Sequence, residues 1–146
     1  MSGIIGGAGS KSGVIGTTEL DYEVGTWTPT YPTGDSAWNW TTSHNNYLKI
    51  GNMCQISIKM DLNGVGTSNN TAFPNLPFQT KNGETYMGSI MIKNLEAENY
   101  NQYCCFVSTN TFYVYHHAQT GGWGALGYND VDTDTEWYAT VSYITA

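Results

Sequence analysis

The stretch 53–62 constrains this chain more than any other. Cys54, Ile56, Ile58, Met60 and Leu62 are apolar, and Gln55, Ser57, Lys59 and Asp61 between them are polar. Successive side chains leave a strand on opposite sides, so an apolar residue at every second position predicts a strand with one buried and one wet face. The alternation returns near the end, where Trp137, Ala139, Val141 and Tyr143 share a face. β-Rich runs between turn residues predict further strands at 27–31, 37–42, 47–50, 71–73, 86–95, 103–108 and 111–116. Asn63-Gly64 and Asn82-Gly83 are strong turn signals, and Gly51-Asn52 and Gly121-Gly122 mark further breaks. Many short strands joined by tight turns predict an all-β chain: a single β-sandwich domain of jelly-roll type over residues 26–146.

Composition points the same way and narrows the function. Of 146 residues, aromatics make up 14% and charged residues only 12%. The charged share is about half the usual one of roughly 25%. Eleven Tyr, 5 Trp and 17 Gly suit pleated sheets and turns better than helices. The formal net charge is −7 with only 5 basic residues, so no cluster can track a phosphate backbone, and no nucleic-acid partner is expected. No apolar run approaches the roughly 20 residues of a membrane span. The first residues lack the basic start and long apolar core of a secretory signal. Three cysteines, two of them adjacent, read as reduced thilos of a protein folded in a cytoplasm.

Residues 1–25 differ from the rest. Gly3, Gly6, Gly7, Gly9, Gly13 and Gly16 separate the short apolar pairs Ile4-Ile5 and Val14-Ile15. Such a segment cannot build its own core. It is expected to be an extended arm whose apolar pairs dock elsewhere, in particular along a neighbouring subunit.

The signals for catalysis and cofactors fail one by one. Lys11 is preceded by Ser10, where a phosphate loop needs Gly. Asp130, Asp132, Asp134 and Glu136 alternate with apolar and hydroxyl residues, a spacing that suits calcium, but Thr135 and Val141 stand where a calcium loop needs Gly and Glu. The acidic run therefore reads as a solvated strand edge that resists edge-to-edge pairing. His116 and His117 would point to opposite faces, and Cys104-Cys105 with these histidines lacks zinc spacing. No nucleophile, base and orienting acid can be assembled. The expectation is a protein with no enzymatic activity, cofactor or metal.

Aromatic side chains are the best binding candidates. Trp38 and Trp40 share one strand face, as do Tyr113 and Tyr115, and Trp123 sits in the glycine-rich turn Gly121-Gly122-Trp123-Gly124. Exposed rings beside Asn, Asp and Thr make a surface for sugar stacking or protein contact. The competing reading packs Trp38, Trp40 and the tyrosines in the core or between subunits, and it outweighs the first for all but Trp123, which is expected to be exposed.

Three segments carry a resemblance. The first runs Gly9-Ser10-Lys11-Ser12-Gly13-Val14-Ile15-Gly16, then Glu19-Leu20-Asp21-Tyr22-Glu23 and Gly25-Thr26-Trp27-Thr28-Pro29. The second is Tyr47-Leu48-Lys49-Ile50-Gly51-Asn52, and the third Phe73-Pro74-Asn75-Leu76-Pro77-Phe78. In order and spacing they resemble bacteriophage tail-fibre and related virion proteins, with their SKSGVIG…ELDYEEGTWTP, YxKIGN and GLPF elements. Val24 replaces the second Glu of the first element, and Asn75 the Gly of the third. Physically all three read as scaffold: a tight corner at Gly51-Asn52 with one positive φ, and an apolar wedge at 76–78.

The resemblance implies a virion component, assembled in the host cytoplasm. It also implies a homotrimer that contacts other phage tail or capsid proteins, and host attachment through a surface glycan or envelope protein. Met1 reads as a native start, and the chain lacks the shaft of a full fibre, so capsid decoration or a head fibre is the alternative.

Overall fold

The computed structural model describes residues 21–30, 37–67, 71–95, 100–118 and 121–146. These form nine strands: β1 (Tyr22–Thr26), β2 (Asn39–Ile50), β3 (Met53–Gly64), β4 (Ala72–Pro74), β5 (Thr85–Leu95), β6 (Tyr100–Ser108), β7 (Thr111–Ala118), β8 (Trp123–Ala125) and β9 (Val131–Ile144). Two single helical turns, at Lys81–Gly83 and Tyr128–Asp130, are the only helical elements among the described residues. The protein is all-β and sandwich-like, as the alternation predicts. The glycine-rich arm, with Ile4, Ile5, Val14 and Ile15, lies outside the described residues up to Leu20.

All pairing is antiparallel, in the order β1-β2-β3-β9-β5-β6-β7-β4, with β8 beside β4 on the same edge of β7. One hydrogen-bonded sheet thus supplies both layers. The bend lies between β5 and β6, whose ladder runs only from Thr85↔Ser108 to Gly88↔Cys105. Gly88 makes the bend feasible: a Cβ there would overlap the Val141 side chain and the Thr140 carbonyl. Beyond Gly88, β5 stays with β9 while β6 turns away with β7.

The two layers meet through aromatics. Phe73 of β4 packs edge-on against Trp40 of β2 and Trp137 of β9, at 5.3 and 5.5 Å between ring centroids. Trp27, just past β1, packs edge-on against Phe112 of β7 at 6.5 Å. Cys54, Ile56, Ile58, Met60 and Leu62 are all buried, so β3 lies as its alternation predicts.

Four elements differ from the sequence expectation. The strand expected at 27–31 forms earlier, at Tyr22–Thr26: Trp27 still holds to β2, its amide donating to the Asn45 carbonyl at 2.8 Å, and beyond it the chain crosses to β4, where the Thr30 amide donates to the Pro74 carbonyl at 3.2 Å. The sheet therefore takes in residues 22–25, which the sequence assigns to the arm. The strands expected at 37–42 and 47–50 are one strand, β2, carried through Ser43 by a register shift between Thr42 and His44. β8 was read as a turn; its pairing with β7 makes a strand of a segment with little β propensity of its own. The acidic run is corrected in part: it heads β9, whose body from Glu136 on is central between β3 and β5, while ahead of Glu136 its β3 side is unpaired among the described residues, as an edge would be.

That correction changes what the carboxylates do. Asp130 is buried and accepts the Gly127 amide at 2.6 Å, holding a turn. Asp132 accepts the Thr133 amide. Glu136 pairs with Lys93 at 3.3 Å and Lys59 at 3.5 Å and accepts the Tyr138 hydroxyl. Among the described residues no three His, Cys, Asp or Glu side chains converge as ligands of one ion. Nor is any helix among them long and apolar enough to cross a membrane.

Candidate binding surface

The outer face of β6, β7 and β8 carries a row of neighbouring aromatics, half-buried except for exposed Trp123. Along β7, Phe112 and Val114 point inward and are buried, so Tyr113, Tyr115 and His117 point outward. The hairpin turn at Thr109-Asn110, with Thr109 at φ 56°, sets β6 opposite β7 with Phe106 facing Tyr113. β8 adds Trp123 opposite His117 and Ala125 opposite Tyr115. Register alone therefore puts Phe106, Tyr113, Tyr115, His117 and Trp123 on one surface.

The rings contact one another. Phe106 and Tyr113 stack at 4.7 Å with an interplanar angle of 14°. Tyr115 stands edge-on to both, at 5.0 Å from Phe106 and 6.2 Å from Tyr113. Trp123, 51% exposed, stands edge-on to His117 at 5.3 Å. Met87, exposed on β5 and opposite Phe106, extends the surface round the bend. Rings held by neighbouring rings offer flat faces with little rotamer freedom left to lose on binding, which favours stacking on sugar rings or protein side chains.

The sequence-selected residues divide. Tyr113, Tyr115 and Trp123 lie on this surface. Trp38 and Trp40 do not: Trp38 is fully buried against Trp137 at 6.4 Å, and half-buried Trp40 packs on Phe73. Both rings do share a face, but it is the inner one, because β2 is covered there by the second layer. Phe106, His117 and Met87 were not selected from the sequence. A register read outward from a two-residue Thr109-Asn110 turn would have found Phe106 opposite Tyr113.

The titratable groups behind the surface are structural. His116 points inward, and burial holds its pKa below the ordinary value, partly offset by the Asp130 carboxylate at 3.9 Å. Cys105 is buried, which pushes its thiol up to about 12. Burial also raises Cys54 and Cys104. All three cysteines are free, and none has the lowered pKa of a nucleophile.

The three family-like segments meet elsewhere, at one joint of the scaffold. Thr26, Trp27 and Thr28 from the first, Tyr47 from the second and Asn75, Leu76 and Pro77 from the third line a common depression. Tyr47 stands edge-on to Phe78 at 5.4 Å, the Lys49 ammonium lies 5.5 Å from the same ring, and the Asn75 amide donates to the Thr28 carbonyl at 3.3 Å. Gly51 turns the β2–β3 corner at φ 57°. Asn75 sits at φ 79°, a left-handed conformation that Gly adopts freely and Asn tolerates better than most residues. Comparison with protein-family models, with curated proteins and with solved structures gave no match.

Proposed function

We propose that this protein is a structural module of a bacteriophage virion, of tail-fibre or tail-appendage type, which attaches to the host through the outer aromatic surface of β6–β8. The observation that carries the attachment reading is the row Phe106, Tyr113, Tyr115, His117 and Trp123, which the fold holds outward without burying Trp123. The phage setting is supported by the three segments at 9–29, 47–52 and 73–78, of which residues 26–28, 47 and 75–77 line one depression. In this reading the protein acts without catalysis or cofactor. It assembles as a homotrimer on other tail or capsid proteins, and its ligand is a surface glycan or envelope protein.

The test is binding of the full chain to a panel of intact bacterial cells and their isolated surface glycans. At least one cell type should be bound, and Trp123→Ala should weaken binding by tenfold or more. A wild-type protein that binds no envelope in the panel overturns the attachment reading. A purely structural decoration or head-fibre role is favoured by a different feature, the groove across β1, β2 and β3, whose described lining carries no charge. Locating the subunit on assembled particles by cryo-electron microscopy separates the two.

A further inference from the structure

We infer that the outer face of β1–β3 is a receptor groove for residues 1–20 of a neighbouring copy of this chain. The inference rests on the homo-oligomer proposed above and names the contact that would build it. The groove measures about 520 Å³ and is lined by Tyr22, Val24 and Thr26 of β1, Leu48 of β2, and Gln55 and Ser57 of β3. Tyr22 and Val24 are 60% and 58% exposed, and Met53 beside them 49%. Among the described residues no charged side chain lines the groove, on a chain whose net charge is −7. β1 also ends the sheet. Its bonds to β2 run through Asp21 and Trp27, which fixes the alternation and turns the amides and carbonyls of Tyr22, Val24 and Thr26 outward. Among the described residues nothing pairs with that edge. An extended segment could therefore add both side chains and a strand.

Residues 1–20 fit that site in chemistry. Their apolar residues include Ile4, Ile5, Val14, Ile15 and Leu20, and Lys11 and Glu19 cancel, so the segment is neutral. The remainder of the chain holds the whole −7, which opposes face-to-face packing of two domains but not the insertion of a neutral arm. The way the segment joins the domain selects a neighbour's groove over its own. The Asp21 carbonyl accepts the Gly51 amide at 2.7 Å, and its carboxylate pairs with Lys49 at 2.5 Å. Asp21 is thus fixed opposite the β2–β3 corner, at the start of β1, so residues 1–20 would have to double back to lie along the β1 edge of their own copy, whereas an extended run of six residues can span up to about 20 Å toward a neighbour.

The test uses the full chain. Val24→Cys is labelled with a maleimide-benzophenone, mixed with an equal amount of isotope-labelled protein, photolysed and mapped by mass spectrometry, with wild-type protein as the control for native thiols. The expected adducts join position 24 to residues 1–20 of a copy of the other isotope, and Ile15→Asp should remove most of them. Adducts confined to residues 1–20 of the same copy overturn the inference, as do adducts between two β1–β3 faces or none at all. Light scattering separates the two levels: a monomer removes the oligomer reading with this one, whereas a trimer with its adducts elsewhere removes only the groove.

Discussion

Trp38 and Trp123 are the same side chain in opposite surroundings. Trp38 is fully buried against Trp137, and Trp123 stands half in solvent against His117. Both are flanked by small or polar residues in the sequence, so neither position declares its face locally. The difference is made by layering: Trp38, just ahead of β2, is closed in beside Trp137 where β4 covers the inner face, whereas nothing among the described residues covers the outer side of β8. One ring is therefore bound to stability and the other faces solvent, and substitutions can pull their effects apart.

The largest expected effect is on the inner side. Trp38→Ala or Trp137→Ala should destabilise the fold by about 3–5 kcal/mol, the usual cost of emptying a buried aromatic site, measured by urea unfolding. Trp38→Phe should cost clearly less. The indole nitrogens of Trp38 and Trp137 have no hydrogen-bond partner among the described residues, so Phe gives up ring volume but no bond. A Trp38→Phe variant as unstable as Trp38→Ala would mean that Trp38 holds a polar contact.

Next come the backbone positions that let the sheet curl. Gly88→Ala should cost about 1–3 kcal/mol or more, because the methyl meets the Thr140 carbonyl as well as the Val141 side chain and backbone yields less readily. Asn75→Ala should cost about 1 kcal/mol for the left-handed φ, while Asn75→Gly should be nearly neutral or stabilising. Equal effects of Ala and Gly at position 75 would place its importance in the bond to Thr28 instead.

How far these features are legible in the sequence depends on how far apart their causes lie. The strand class and the inner face of β3 are written locally, in the period-2 run from Cys54 to Leu62. The Gly51 corner is local too. The path of β1 is not, since it depends on Trp27 finding Phe112, a contact across 85 positions of sequence. The acidic run is half legible for the same reason: seven alternating residues look like an edge and are open on the β3 side ahead of Glu136, and only long-range pairing to β3 and β5 makes the body of β9 central. The aromatic surface was half legible. Parity along β7 links Tyr113 to Tyr115, but adding Trp123 requires the non-local β7–β8 pairing.

A smaller effect lies between the two faces, at His116. Burial keeps its folded pKa below the ordinary value of about 6.5. Below that ordinary value the unfolded chain takes up a proton that the folded chain resists. Stability is therefore complete above about pH 6.5 and falls as pH drops from there toward the folded pKa. The unfolding midpoint should be lower at pH 5.5 than at pH 7.5, and His116→Asn should flatten that difference. An unchanged slope would assign it to carboxylates.

The smallest effect on stability, and the one that decides the comparison, is expected at Trp123. Trp123→Ala removes a ring that is 51% exposed and touches chiefly His117, so unfolding should shift by no more than about 0.5 kcal/mol. The same substitution should weaken envelope binding by tenfold or more. Tyr115→Ala should sit between the two behaviours, because its ring braces Phe106 and Tyr113 while presenting part of itself to solvent. If Trp123→Ala instead unfolds the domain as readily as Trp38→Ala, β8 is a structural clasp and the outer surface is not a recognition surface. If it leaves both stability and binding intact while Tyr115→Ala abolishes binding, recognition lies nearer the Phe106–Tyr113 stack than the β8 edge.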